Sequence, residues 1–189
     1  MSSHHIVREK QEPALLIAGL STFTDEELGQ LLEWSPTVIA TLPVAEQLAV
    51  YGIKIDYIVS DGVSGDLQSD VQYIHTNGQS WLQAAFHFLV TKGYPAVNIV
   101  ADELDLRVYE SYVAQINVVI FYKHQKIYAI TSGFRKWKPA GETVTLLTVD
   151  TPVNTEGLQQ LSAQAYQTQA DGFISLTFDA PSIFIAEVY

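Results

Sequence analysis

The chain contains no cysteine, which excludes disulfides, thiolate metal sites and cysteine nucleophiles and leaves the fold to packing alone. Basic residues are scarce: 10 Lys and Arg stand against 21 Asp and Glu, giving a formal net charge of −11. A nucleic-acid backbone is repelled by such a chain unless its few cations cluster. The one visible cluster, Arg135, Lys136 and Lys138 around Trp137, reads as a solvated turn rather than a nucleic-acid contact. Long apolar runs are missing as well. The longest, at residues 14–20 and 118–122, fall far short of the roughly 20 residues needed to cross a bilayer. No cleavable leader pattern precedes them, so the expectation is a soluble cytoplasmic protein without membrane or nucleic-acid partners. Neither the phosphate-binding G-x-x-x-x-G-K-[ST] loop nor the dinucleotide G-x-G-x-x-G turn is present, which removes the two commonest nucleotide fingerprints.

What the chain does have is hydrophobic content. Of 189 residues, 48% are hydrophobic and 16% charged, too apolar for a disordered chain and enough for one substantial core or two small ones. Residues 1–13 read as a polar tail carrying the pair His4 and His5. The run at 14–20 has the pattern of a strand buried on both faces of a parallel sheet. Thr24 with Glu27 forms a capping-box signature, and Leu28, Leu31 and Leu32 follow at helical spacing. The alternation repeats: strand at 37–40, helix at 44–51 stopped by Gly52, strand at 57–60, helix at 79–92 closed by Gly93, strand at 96–101. This is βαβ grammar. A short helix at 109–115 and a β-branched run at 117–122 complete an expected α/β domain over 14–123, with a mainly parallel sheet.

Beyond Lys123 the grammar changes. Strand-like runs at 127–131, 143–149, 172–179 and 182–188 follow one another without helices, separated by Gly, Pro, Asp and Asn. An all-β, antiparallel, sandwich-like domain is therefore expected over 124–189. In the α/β half the ligand of such a sheet belongs beyond the C-terminal strand ends, at residues 19–20, 41–42, 61–64 and 102–105, of which only the last two segments carry carboxylates.

Residues 52–64 (GIKIDYIVSDGVS) resemble the signature of the thiamin pyrophosphokinase family: a glycine, a short approach, an Asp, a buried strand, then Gly-Asp-x-Asp-Ser. Ser132 and Gly133, the glycine-led strand from Gly141 to Leu147, and Thr155 to Leu158 are similar to markers of that family's β domain, in the same order. The resemblance implies an α/β domain followed by a thiamin-binding β domain, commonly as a homodimer. It also implies transfer of pyrophosphate from Mg-ATP to thiamin, with acidic residues holding Mg²⁺ against the phosphates. Phe173, Phe178, Phe184 and Tyr189 suit either an isologous contact or an ordinary intrachain core.

Departures from the family pattern gather where the chemistry should be. Asp61 matches the first aspartate of the motif, but Val63 stands at the second. The family's Asp-Gly-Gly-type turn maps near residues 41–44, without carboxylate or glycine, its Thr-Asp or Asn-Asp pair near 77–80, without an acid, and its Gly-x-Arg-x-Asp-His stretch near 102–106, without the arginine or histidine. The candidates that remain are Ser60, Asp61 and Ser64 for phosphate or cofactor binding, and Asp61 with Asp105 for Mg²⁺, assisted by Asp102 or Glu103. Against this, Asp61 with Gly62 and the acidic loop at 102–105 also suit ordinary turns. His75, His87 and His124 show no metal spacing, and Trp34 and Trp81 suit packing or an interface, whereas Trp137 between cations suits a partner or ligand. Two functions stay open: a catalytically degenerate family member that binds thiamin, a nucleotide or a protein partner, and a divergent active kinase using Mg²⁺ and ATP. An unrelated α/β protein with coincidental markers is the third reading.

Overall fold

The computed structural model describes residues 12–34, 36–62, 68–147 and 151–189. They form two compact units, Met1–Val118 and Val119–Tyr189. The described residues are mostly sheet with few helices, and among them no helix is long and apolar enough to cross a membrane.

The first unit begins with β1 (Ala14–Ile17), all four residues of which are buried. Only a strand covered on both faces requires four consecutive aliphatic side chains. Helix α1 (Asp25–Leu32) starts where the capping box predicts: the Glu27 amide donates to the Thr24 hydroxyl, and the Glu27 carboxylate accepts from the Thr24 amide. After β2 (Val38–Thr41), helix α2 (Leu42–Val50) follows with no loop, no side-chain cap and a proline at its second position. Gly52, at φ 69°, then supplies the left-handed residue that ends it. β3 (Tyr57–Val59), β4 (Gln72–Ile74), α3 (Trp81–Thr91), β5 (Ala96–Val100) and the single turn α4 (Arg107–Glu110) complete the unit. Its strands lie in the order β5-β1-β2-β3-β4, and every neighbouring pair is parallel. Helix α3 opens with a second capping box, Ser80 with Gln83, and buries Leu82, Ala84, Ala85, Phe86 and Leu89. Phe86 stacks on Tyr112 at 4.2 Å, so the turns after α4 are packed although only 107–110 are helical.

The second unit opens within β6 (Asn117–Tyr122), at Val119, and continues with β7 (Gln125–Ile130), β8 (Phe134–Lys138), β9 (Thr143–Leu146) and β10 (Val153–Glu156). Then come β11 (Leu158–Gln160), β12 (Ala165–Thr168), β13 (Gly172–Phe178) and β14 (Ile183–Val188). Strands β11-β12-β9-β14-β7-β6 pair antiparallel in that order, and β10-β13-β8 form a separate antiparallel sheet. Ile130, Val144, Leu146, Ile183 and Ile185 of the larger set join Ile174, Leu176 and Phe178 of the smaller in one core. Phe178 and Phe184 are buried within the unit, while Phe173 and Tyr189 are exposed. Lys123 and His124, both at positive φ, form the two-residue turn of the β6–β7 hairpin, the twist-matched type that joins adjacent strands directly.

The basic cluster expected as a solvated turn is a strand. In β8 the side chains alternate: Arg135 and Trp137 are exposed, Lys136 is half-buried and Lys138 is buried. Lys138 Nζ lies 3.1 Å from Glu187 Oε1 and Lys136 Nζ lies 2.7 Å from Glu187 Oε2, while the Tyr128 hydroxyl donates to Oε1 at 2.8 Å. Burial pushes the Glu187 carboxyl up, but hydrogen bonds from Lys136, Tyr128 and Lys138 outweigh it and hold the group below its ordinary value. Burial and the adjacent carboxylate push the Tyr128 phenol up. Sequence periodicity could not show this, because a strand with cations on its inner face breaks the apolar alternation that identifies strands.

Glu187→Gln leaves Lys138 buried without its nearest full counter-charge, so urea denaturation should show a loss of about 3 kcal/mol. Lys138→Met, which leaves Lys136 paired with Glu187, should cost less. Because the Glu187 value is depressed on folding, its contribution is complete above the ordinary glutamate range and is lost as pH falls through the depressed value.

Candidate functional site

Parallel strands bring their C-terminal ends to one rim of the first unit, and the loops that leave this rim must satisfy their own backbone amides. Aspartates do much of this. After β5, Asp102 Oδ1 accepts from the Ser21 amide at 2.9 Å, tying the loop that leaves β1. The Asp102 carboxyl lies directly against Gly19, where a Cβ would sit 2.3 Å from it; only glycine leaves room for this contact. After β3, Asp61 Oδ1 accepts from the amides of Thr76 at 2.6 Å and Asn77 at 3.3 Å, and Oδ2 accepts a short hydrogen bond from the Thr76 hydroxyl. These bonds, the Thr76 hydroxyl first, hold the exposed Asp61 carboxyl below its usual range. Asn77 occupies the left-handed region at φ 51°, so the turn before α3 is closed around the aspartate.

The remaining sequence candidates have local partners too. Ser60 Oγ accepts from the Gly62 amide at 3.0 Å and donates to the Gly62 carbonyl at 3.1 Å. Ser64, like Val63, lies outside the described residues. Asp105 receives both arms of the Arg107 guanidinium, Nε at 2.9 Å and a terminal nitrogen at 2.8 Å, as well as the Arg107 amide. The guanidinium hydrogen bonds hold Asp105 below its ordinary value. All four oxygens of Asp61 and Asp105 thus accept at least one hydrogen bond within the chain. Among the described residues no three His, Asp or Glu side chains converge as a metal-ligand group.

Sequence reasoning missed what the rim does contain. A groove of about 580 Å³ runs from Gly19, Ser21 and Asp102 between α1 and α2, walled by Phe23, Leu28, Val44, Val50 and Tyr51, with Asp25 and Gln47 on its polar side. Val50 is 85% exposed and Tyr51 59%. The signal was present: apolar residues at 42, 44, 45, 48, 49, 50 and 51 are more than one buried face of a short helix can use. Thr76 was likewise passed over, because a threonine between two strand-like segments carries no signature of its own.

No family model matches the chain, and no curated protein matches its sequence. Solved structures do resemble it. Yeast thiamin pyrophosphokinase superposes with a TM-score of 0.72 over 97% of this chain and 88% of its own, at 10% identity. The enzyme from Bacillus subtilis gives 0.66 over 94% and 99%, also at 10% identity, and a probable thiamine pyrophosphokinase from Staphylococcus saprophyticus gives 0.66 over 93% and 98%, at 17% identity. This chain has the thiamin pyrophosphokinase fold. At such identities the likeness concerns backbone architecture, and what the thiamin pyrophosphokinase fold does in this chain rests on the side chains at its rim.

Gly19→Ala should force Asp102 off the Ser21 amide and cost about 1–3 kcal/mol in denaturant unfolding, as overpacking in a tight site does. Thr76→Val removes the leading cause of the low Asp61 value. The side-chain titration of Asp61, followed by carbon NMR, should move up toward the ordinary carboxylate range, with the turn at 75–78 loosening as that carboxylate protonates at higher pH than before.

Proposed function

We propose that this chain is a cytoplasmic binding protein on the thiamin pyrophosphokinase fold that does not carry out pyrophosphoryl transfer. The observation that supports this most is Asp61. It is the one aspartate matching the first acid of the signature, and both of its oxygens serve the turn before α3. Mg²⁺ requires oxygen ligands in a near-octahedral set and offsets the charge of transferring phosphates. Asp61 and Asp105, each satisfied by neighbours, do not fit that ion, and Val63 replaces the second acid with an aliphatic side chain. In this reading the carboxylates have passed from metal binding to holding loops. The homodimer implied by the resemblance is retained as part of the proposal, with Phe173 and Tyr189 as exposed aromatics on the second unit.

The competing reading, a divergent kinase using Mg²⁺, ATP and thiamin, is favoured by the extent of the structural likeness, which covers more than nine-tenths of the chain. The two readings part on a single mixture of protein, thiamin and Mg-ATP. We expect no thiamin diphosphate above the protein-free control, with or without excess Mg²⁺, and no change on Asp61→Ala. Turnover abolished by Asp61→Ala would instead establish the enzyme. Light scattering on the same sample reads the oligomeric state.

A further inference from the structure

We infer that the exposed turn at Asn77 and Gly78 is a modification site, where the Asn77 side-chain amide is lost to give aspartyl and isoaspartyl products, and that Asp61 is the latch that holds this conversion back. The inference goes beyond the binding reading above and does not depend on it. Water is the only co-reactant. The Gly78 nitrogen attacks Asn77 Cγ; an N–C bond forms, the Cγ–Nδ2 bond breaks, and ammonia leaves with the proton that the Gly78 amide gave up. Water then opens the five-membered ring at one carbonyl or the other. The result is either an ordinary aspartyl link or an isoaspartyl one, in which the chain runs through Cβ and Cγ. Among the asparagines, Asn77 is the one best placed for this step. A glycine follows it, so no side chain crowds the attacking nitrogen, and a Cβ at Gly78 would meet nothing within 4 Å. Both residues are exposed to water. Asn98, Asn117 and Asn154 lie in β5, β6 and β10, each followed by a β-branched residue that shields its own amide.

The backbone fixes this pair in an unreactive shape. Asn77 and Gly78 have φ of 51° and 82°, and the Gln79 amide donates to the Thr76 carbonyl at 3.0 Å, the pattern of a type I′ turn. In the left-handed region ψ is about +47°, which turns the next nitrogen to the far side of the Cα–C bond from the side chain. The ring cannot close from there, so the turn must open first. Asp61 opposes that opening from another loop: Oδ1 accepts the Thr76 and Asn77 amides at 2.6 and 3.3 Å, and Oδ2 accepts the Thr76 hydroxyl. Neither product is latched as well as the asparagine. An isoaspartyl link lengthens the chain between the two amides by a methylene, and both products set a second carboxylate on the residue whose amide Asp61 holds. The Asn77 Nδ2 contact to the His75 carbonyl, at 3.5 Å, is lost with the amide. Conversion therefore loosens the rim turn permanently, just before the Ser80 cap of α3.

The experiment incubates the full chain at mildly alkaline pH, with and without denaturing urea, and follows each asparagine by peptide mass spectrometry with fragmentation that separates aspartyl from isoaspartyl products. In urea, Asn77 should convert faster than Asn98, Asn117 and Asn154. In the folded protein its rate should fall by about tenfold, because the rate follows the open fraction of the turn. Asp61→Ala should restore much of the urea rate to the folded protein and leave the rate in urea unchanged, which separates a lost latch from altered local chemistry. Thr76→Val keeps the amides on Asp61 and should fall between the two. If circular dichroism shows Asp61→Ala to be unfolded, Thr76→Val alone should still exceed the parent chain. Equal Asn77 rates with and without urea, a folded variant no faster than the parent chain, or another asparagine leading in urea would each overturn the inference.

Discussion

A carboxylate that accepts backbone amides has its geometry fixed by the chain, and much of the rim of the first unit follows from where this happens. Parallel strands cannot be joined by tight hairpins, so each strand is left by a loop whose amides lie beyond the ladder. Asp102 serves the loop after β1, Asp61 the turn before α3 and Asp105 the start of α4. At the opposite strand ends Asp56 accepts from the Val38 amide at 2.9 Å, so the device is general in this sheet. Hydrogen bonds to an ionised acceptor are shorter and stronger than neutral ones. A loop held in this way is ordered without needing a ligand or an ion to order it.

This separates scaffold from chemistry. A likeness to thiamin pyrophosphokinases over nearly the whole chain coexists with identities near 10%, because the constraints shared at that distance are strand order, crossover and layer packing. Nothing in those constraints demands a second acid at Val63 or a glycine turn at residues 41–44, where α2 instead begins directly after β2 with its proline. The partly buried cluster of Lys136, Lys138, Glu187 and Tyr128 is the corresponding case in the second unit. It joins a strand of the small sheet to two strands of the large one through charge, and it leaves no polar side-chain atom unsatisfied among the described buried residues. Such a cluster defines register more sharply than aliphatic contact, since only one alignment pairs every member.

Most elements of the first unit were legible in the sequence for physical reasons that can be named. β1 was visible as an uninterrupted aliphatic run, α1 from Thr24 and Glu27, and the ends of α2 and α3 from Gly52 and Gly93. The strands that escaped, β4, β8, β10, β11 and β12, are three to five residues long and carry polar or charged side chains on at least one face, so neither periodicity nor propensity marks them. At the rim, the spacing of the signature located Asp61 but not its partner Thr76, fifteen residues away, because hydrogen bonds between loops have no sequence period. The groove escaped for the opposite reason: its walls are ordinary apolar residues, informative only once Val50 and Tyr51 are seen to face solvent.

Strand β14 lies between β7 and β9, pairing with both, although it comes from the far end of the second unit. Until residues 183–188 have been synthesised, β7 and β9 have no common neighbour and Lys136 and Lys138 have no Glu187. The first unit contains all five strands of its parallel set by residue 100 and can assemble during translation, as N-terminal domains do. The second unit must wait in an open form for its last strand. A nascent chain in which residues 183–188 are not yet available therefore leaves β7 and β9 each with an open edge and their apolar faces uncovered.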